Sequence, residues 1–597
     1  MTQTHLDVGG CRLPVYALDT LVIGSGCAGF NAADWLDELG CRDVAILTDG
    51  RDRGTSRNAG SDKQTYYKLS LGGDSPDCVP MMAADLFAGG GMHGDHALAM
   101  AACSAGCFFK LASLGVPFPT NRYGEYVGYR TDHDRTARAT SAGPLTSKYM
   151  TEALEKSVAA KGIRVFDNMM AIRLVVRGRA LLGVIALDLA RLDGEGFGLT
   201  LFCVNRAILA TGGPAGVYRR VVYPESQAGM TGMALEAGAG ADNLMSWQYG
   251  LASTKFRWNL SGTYQQVIPR YVSIDGAGRE REFLPAGSLD LVFRKGYEWP
   301  YDPAKPSSRI DLLVHREAYE YGRRVFLDYR SEPAGLDLQR LSGEAYQYLE
   351  RSGALLPTPI ARLERMNPQA ARLFRDNGID LHREMLEIGV CAQHCNGGIA
   401  VDADWRSDVR GLYAAGEAAG TFGAVRPGGA ALNAAQVGAM RAAQHIAGQP
   451  APAPAPPEAL AGEAAQLVSQ IKAAFGRGGE SLAAVKTRLQ NEFSQSCAHV
   501  RAPERFDTMY RERMSAIAAY YDRCAVVERA QIPELFLTRD ILIAQAAMLS
   551  AMREGEGGGV VHTRLRGGEF ISERRPARPI PERDSWFETV WEDFRKR

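Results

Sequence analysis

Leu21-Val22-Ile23-Gly24-Ser25-Gly26-Cys27-Ala28-Gly29 decides how this chain is read. The apolar run Thr20 to Ile23 has the length of a buried parallel strand, and Gly24-x-Gly26-x-x-Gly29 follows at once. Phe30 to Gly40 then carries helical spacing at Ala33, Leu36 and Leu39, and the apolar run Val44 to Leu47 completes a strand–helix–strand unit. The three glycines act differently. Gly24 permits the tight turn, Gly26 lets a pyrophosphate approach the backbone, and Gly29 lets helix pack on strand. The helix start beyond Ser25, at Ala28, offers N–H groups and partial positive charge to the phosphates. The reading is a dinucleotide-binding unit; a glycine-rich turn in another α/β protein is the alternative. Such a motif carries an acid about twenty residues on, which holds a ribose hydroxyl. Asp49 lies one place beyond that slot and Thr48 fills it, so either could hold the ribose.

The 597 residues suggest roughly three or four domain-sized units. At 46% hydrophobic and 23% charged, the chain has the composition of an ordinary globular protein with ample core. Its 68 basic residues balance 68 acidic ones, so no bulk field points to nucleic acid or membrane. The opening MTQTHLDVGG has no basic segment followed by an apolar one, so no signal peptide is expected. No apolar window approaches the length of a membrane span; none is expected, and the cytoplasm is the default. Eleven cysteines are scattered, and neither Cys103-x3-Cys107 nor Cys391-x3-Cys395 matches an iron–sulfur or haem spacing. They read as small buried hydrophobes, with no metal site and no redox relay in the chain.

Residues 1–17 alternate like a hairpin turning at Val8-Gly9-Gly10-Cys11. After the first unit comes a polar loop, Gly54 to Gln64; residues 81–117 and 145–162 read as helices, and 163–185 and 198–210 as strands. From about 246 to 385 the texture is irregular, aromatic and basic, and the strand-and-turn pattern resumes at 397–414. Gln449 to Pro457 is an extended Pro/Ala linker. Beyond it, 458–552 is helical in pattern and 553–597 is a Gly/Pro/Arg-rich tail.

Taken in order, these motifs resemble the flavoprotein subunits of fumarate reductase and succinate dehydrogenase. That superfamily also holds L-aspartate oxidase, urocanate reductase and the adenylylsulfate reductase flavoprotein. The marks are Gly24 to Gly29, Ala210-Thr211-Gly212-Gly213, and Gly232-Met233-Ala234-Leu235-Glu236-Ala237-Gly238-Ala239. The most specific is Gly397-Gly398-Ile399-Ala400-Val401-Asp402, followed by Tyr413-Ala414-Ala415-Gly416-Glu417 and Arg426-Pro427-Gly428-Gly429-Ala430-Ala431-Leu432. The resemblance implies FAD and an α/β architecture. A Rossmann-like FAD-binding domain, 1–245 and 386–448, is interrupted by an α+β capping domain at 246–385. The linker 449–457 then leads to a C-terminal helical domain and tail, 458–597. The flavin would lie between FAD domain and cap, where closure excludes water from hydride transfer. By the same resemblance, Ser56, Asn58, Thr211 and Gly212 line the cofactor and Glu417 holds ribityl or ribose hydroxyls. Backbone groups at Ala431 and Leu432 would face the flavin pyrimidine edge.

The departures are informative. Where respiratory members carry the histidine that bonds covalently to FAD, this chain has Arg57 within Ser56-Arg57-Asn58, so FAD is expected to be noncovalent. The family's Gly-Gly beside the flavin falls on Lys63-Gln64; Lys63 could steady reduced flavin or an anionic substrate, or be solvated on a shifted loop. Gln248 replaces the histidine of the dicarboxylate site, and the usual proton-donating arginine motif is absent. In its region stand Tyr264 and Arg270. Arg426 matches the arginine that grips a carboxylate, and His394 falls within a residue of the family's substrate histidine. Lys255, Arg257 and Arg270 sit among Trp247, Tyr249, Phe256, Trp258, Tyr264 and Tyr271, a cluster that reads as a pocket wall suited to a planar substrate.

The expected activity is hydride transfer from flavin N5 to an activated C=C bond of an anionic or conjugated substrate. Arg426 and His394 would polarise the acceptor, and Arg270 or Tyr264 would deliver the proton. Alternatives are the oxidising direction, as in an aspartate-oxidase-like enzyme, the flavoprotein subunit of a complex with a separate iron–sulfur protein, and a flavin-binding protein without turnover. An external electron donor or acceptor is implied in each catalytic case, and a separate iron–sulfur or flavin protein could fill that role.

Overall fold

The structure, a computed structural model, describes residues 1–73, 76–131, 134–475 and 478–582. The Thr20–Ile23 strand is buried at every residue, as an apolar run covered on both faces must be. It is central in a parallel sheet ordered Leu412–Ala414, Arg206–Leu209, Thr20–Ile23, Val44–Leu47, Arg164–Phe166. The Cys27–Glu38 helix buries Phe30, Ala33 and Leu36 and packs against the long Ala430–Ala447 helix. Gly40, at φ +90°, turns the chain beyond its end. Chain direction puts the carboxyl ends of the parallel strands, and the glycine turns that follow, along one edge. Ligands bind at that edge in such sheets.

The opening segment is a hairpin, Thr2–Val8 with Cys11–Ala17, whose register closes at Val8 opposite Cys11 as the glycine turn predicts. It extends a second sheet, mostly antiparallel, through Leu199–Cys203, Ala180–Asp188 and Met169–Arg177. The cap holds a six-stranded antiparallel sheet ordered Trp258–Asn259, Trp247–Ser253, Leu386–Cys395, Arg324–Asp328, Arg270–Ile274, Glu280–Glu282. The Leu386–Cys395 strand pairs on both sides inside this sheet, which therefore runs past residue 385.

Residues past the linker are woven into the rest. Arg206 donates to the carbonyls of Gln449 (3.1 Å) and Pro450, strapping the linker to the parallel sheet. In the Ala461–Ala474 helix, Val468 packs against Gly9 of the first hairpin. The stretch read as a tail contains a β-hairpin, Val560–Arg566 with Glu569–Arg575, which pairs with Ala241–Asp242; its first strand is buried from Val560 to Thr563 without apolar alternation, so period-two patterning gave no mark of it. Of that tail, 583–597 lie outside the described residues.

Two helical stretches, Gly94–Ser113 and Arg529–Met552, are long and apolar enough to cross a membrane, contrary to the sequence expectation. Their apolar windows are 56% and 89% buried inside the protein. Apolar residues all round a helix suit a core position as well as a lipid one, and the Ile532–Met552 helix packs against Thr231–Glu236 and Pro503–Ala518.

Candidate functional site

Residues of the motifs at Gly24 to Gly29, Ala210 to Gly213, Tyr413 to Glu417 and Arg426 to Leu432 line one cavity of about 880 Å³ running from the glycine turn to the cap, which the motifs at Gly232 to Ala239 and Gly397 to Asp402 do not reach. At the first end, Gly24 has φ +111°, and a Cβ there would lie 2.3 Å from the Ala210 carbonyl oxygen. A Cβ on Gly29 would fall 2.0 Å from Gly24 O, so this glycine serves helix-on-strand contact and does not line the cavity. Gly26 does face it, with only Ser56 Oγ within reach of an added Cβ, at 3.1 Å. Gly26 cannot cap the helix it precedes; Ser56 Oγ accepts from Cys27 N–H instead, at 3.2 Å. A second helix, Ala430–Ala447, also starts at the wall with no side-chain cap, presenting Ala431 and Leu432. Two helix starts without an N-cap side chain of their own, the first with one N–H taken by Ser56, and the bare backbone at Gly24 and Gly26 fit a pyrophosphate-bridged cofactor.

The remaining cofactor candidates divide by contact. Thr48 Oγ1 is buried and bonded to Ser25 Oγ at 2.7 Å, whereas Asp49 is partly open beside Arg53, 3.3 Å away. Thr211 and Gly212 line the wall beneath Gln227, whose amide donates to Thr211 O at 2.6 Å. Gln64 lines it too, but both ends of its amide brace the loop, to Ala59 O and Ser147 N–H. Lys63 is exposed at the rim. Asn58 is a correction: its amide donates to Asp52 O and Gly54 O, holding a turn away from the cavity. Arg57 also points elsewhere, pairing with Glu155 at 2.6 Å.

Glu417 lines the cavity wall. Its Oε1 accepts from the Tyr223 hydroxyl and from Cys395 N–H at 2.8 Å, and burial pushes its pKa up to about 7. A Cβ on Gly213 would lie 2.6 Å from that oxygen, so the second glycine of Gly212-Gly213 makes room for the carboxylate.

At the cap end, Arg426 and Gln248 clasp each other: Arg426 Nη2 donates to Gln248 Oε1, and Gln248 Nε2 donates to Arg426 O at 3.3 Å. Burial lowers the arginine pKa to about 10, against the pull of Glu417 and Tyr223, so the guanidinium stays charged at neutral pH. Its Nε is buried with no partner. His394 is 8% exposed. Asn396 donates through Nδ2 to Ala424 O at 3.1 Å, which turns its Oδ1 toward His394 Nδ1 at 2.9 Å. That fixes the proton on Nδ1 and leaves a lone pair on Nε2, which is buried and unpartnered. Burial first, then the Arg426 charge, drives the imidazole pKa well below its usual value, so the ring is neutral.

Gln393 and His394 both line this end although they are neighbours on a strand. The register explains it: Gln248 faces His394 and Tyr249 faces Ala392, so Gln393 is the extra residue of a β-bulge. A bulge re-aims a side chain that alternation would send to the other face. Gln393 Oε1 accepts from Trp299 Nε1 at 3.0 Å. Sequence reasoning missed Gln393, Trp299, Tyr223 and Asn396; only the one-residue offset of His394 from the family pattern hinted at the bulge.

The two expected proton donors lie outside the cavity. Tyr264 is fully buried in the cap core, its hydroxyl donating to Ala370 O at 3.1 Å. Arg270 sits opposite Asp328 on the cap sheet and pairs with it at 3.0 Å. Of the aromatic cluster read as a pocket wall, Trp247 alone reaches the cavity; Tyr249, Trp258, Tyr264 and Tyr271 fill the cap core, with Phe256 packed against it. Aromatic density marked the cap's hydrophobic core, the commoner use of such residues.

Comparison with known proteins agrees with this architecture. The family model described as "FAD binding domain" matches residues 19–432, and the chain belongs to that family. It is an FAD-dependent oxidoreductase of the fumarate reductase and aspartate oxidase group. It is 28% identical to an L-aspartate oxidase of Agrobacterium fabrum over 446 residues, 73% of this chain and 74% of that one. It is 26% identical to one subunit of the fumarate reductase (CoM/CoB) of Methanothermobacter marburgensis, over 72% of each. In fold it matches Sdh1 of Mycobacterium smegmatis, with a TM-score of 0.73, 18% identity and 98% of each chain covered.

Proposed function

We propose that this enzyme oxidises a small anionic substrate at a carbon bearing an amine or hydroxyl group. The observation that carries the reading is the neutral His394, with its bare Nε2 buried beside the charged Arg426. When bound, FAD supplies the acceptor for a hydride leaving that carbon. Arg426, braced by Gln248, grips the carboxylate through its planar fork. His394 Nε2 accepts the N–H or O–H proton as the C=N or C=O bond forms; a bound carboxylate offsets the Arg426 charge that holds its pKa down, and Asn396 steadies the imidazolium from Nδ1. A lone pair cannot donate to a substrate oxygen, so the arrangement suits a proton acceptor better than the polarising role read from sequence. Reduction of a C=C bond needs a proton donor at the α-carbon, and the two donors read from sequence, Tyr264 and Arg270, stand outside the cavity; Tyr301 and Lys305, which line it, would have to serve instead. The oxidising direction is also that of the relatives named L-aspartate oxidase.

Arg426→Ala and Arg426→Lys test the anchor, with anaerobic bleaching of the flavin by amino and hydroxy acids as the readout. Both variants should keep FAD. Alanine should slow bleaching about a hundredfold or more, and lysine should recover part of that loss because it keeps the charge without the fork. Failure of every amino and hydroxy acid to bleach the flavin, with prompt reoxidation of reduced protein by α,β-unsaturated acids, would reverse the direction.

A further inference from the structure

The cap-facing end of the cavity has a chemistry different from its Arg426 corner. Gly250 faces the Trp299 indole so closely that an added Cβ would lie 2.4 Å from the ring. The ring edge is fixed by Nε1–H donating to Gln393 Oε1 at 3.0 Å. That bond uses the oxygen of the Gln393 amide and leaves Nε2 buried with no partner. Gln393 is the bulge residue, so the chain has departed from regular pairing to bring this amide to the cavity. Charge on the cap's share of the wall cancels: among the described residues Lys305 is its one cation and Asp302, three residues earlier, its one anion. Gln266 and Tyr348 complete that side, joined by a hydrogen bond of 3.1 Å.

We propose that Trp299 and Gln393 are specificity-determining residues that select a monocarboxylate whose far end is an uncharged ring, and disfavour a dicarboxylate. This rests on Arg426 as the carboxylate anchor. A second carboxylate pushed toward the cap would lose its water and meet a wall of zero net charge, which costs more than it returns. An uncharged ring can lie on the fixed indole, and a carbonyl, ether or hydroxyl oxygen on it can accept from Gln393 Nε2. The pair acts as one unit: the tryptophan sets the direction of the amide, and Gly250 sets the position of the tryptophan.

The FAD-loaded protein is titrated with unreactive probes, benzoate and phenylacetate against succinate and malonate, following the flavin absorbance band. The ring-bearing monoanions should perturb the band at concentrations about tenfold or more below the dicarboxylates. Trp299→Leu should weaken the ring probes about tenfold and leave succinate nearly unchanged, with Trp299→Phe between the two. Gln393→Arg, which adds a cation to the neutral wall, should strengthen succinate. FAD content measured on each variant separates a lost ring site from a lost fold. Succinate binding more tightly than both ring probes while still requiring Arg426 overturns this inference alone, as does indifference of the ring probes to Trp299→Leu. Binding that ignores Arg426→Ala overturns the anchor, and this inference with it.

Discussion

The two ends of the cavity are built from different materials. The cofactor end is made by backbone: Gly24, Gly26, Gly212 and two helix starts, all near the carboxyl ends of parallel strands. The cap end is made by side chains from four separated stretches, around Gln248, Trp299, Gln393 and Arg426, each oriented by another. A backbone site tolerates few sequences, because a Cβ is either allowed or not. A side-chain site admits many solutions, since amide, imidazole and guanidinium can exchange partners. The first end is fixed by backbone geometry, while the second can change substrate.

The strongest attack on this contrast is one methyl group at the backbone end. In Gly29→Ala the new Cβ would lie 2.0 Å from Gly24 O, a backbone atom that no rotamer change can clear. Gly24 is itself held in the turn, its N–H donating to Leu47 O at 2.8 Å. The expected outcome is loss of nearly all bound flavin, read as absorbance per mole of purified protein, with overpacking destabilising the fold by about 1–3 kcal/mol. A variant with full flavin content would mean that helix and strand have more freedom than these distances allow.

A second test sits on the polar loop between the two ends. Among the described residues His394 is the one histidine that lines the cavity, and Arg57 is turned outward to Glu155. Acid precipitation should therefore release all the flavin into the supernatant. A yellow pellet after washing would reveal a covalent link through some other side chain, and the loop would then belong to the chemistry.

Legibility followed the same division. The strand–helix–strand unit and the hairpin at Gly9-Gly10 could be read because periodicity and fixed φ angles leave direct marks in sequence, whereas Glu417 and Arg426 were located by the motif resemblance alone. Tyr264 and Arg270 misled because an aromatic, basic stretch looks alike whether it fills a core or lines a pocket. Gln393 left no mark beyond the one-residue offset of His394: a bulge is a property of two strands in register, and its partner segment lies about 140 residues away in sequence. Asn58 failed for a smaller reason, since an asparagine in a loop serves its own turn as readily as a ligand.

The mildest test concerns Glu417, where backbone and side-chain logic meet. Its carboxyl is buried between Tyr223, Cys395 N–H and the space made by Gly213, with a pKa raised from 4.5 to about 7. The native protein without cofactor thus binds this proton more tightly than the unfolded chain does. The group's contribution to stability is complete below about pH 4.5 and is lost as pH rises through about 7. A cofactor hydroxyl donating to Glu417 would favour the anion and lower that pKa. FAD binding below about pH 7 should then release a proton, and affinity should climb with pH by less than about tenfold per unit before levelling off. Glu417→Gln keeps an acceptor oxygen without the titration, so its affinity should be weaker above neutrality and flat across the same range. Fluorescence titration of flavin-stripped protein from about pH 6 to about pH 8 measures both curves. A flat wild-type curve would mean that no hydroxyl donates to this carboxylate. Glu417 would then serve only Tyr223 and the Cys395 N–H, and the cofactor end would owe its grip wholly to backbone.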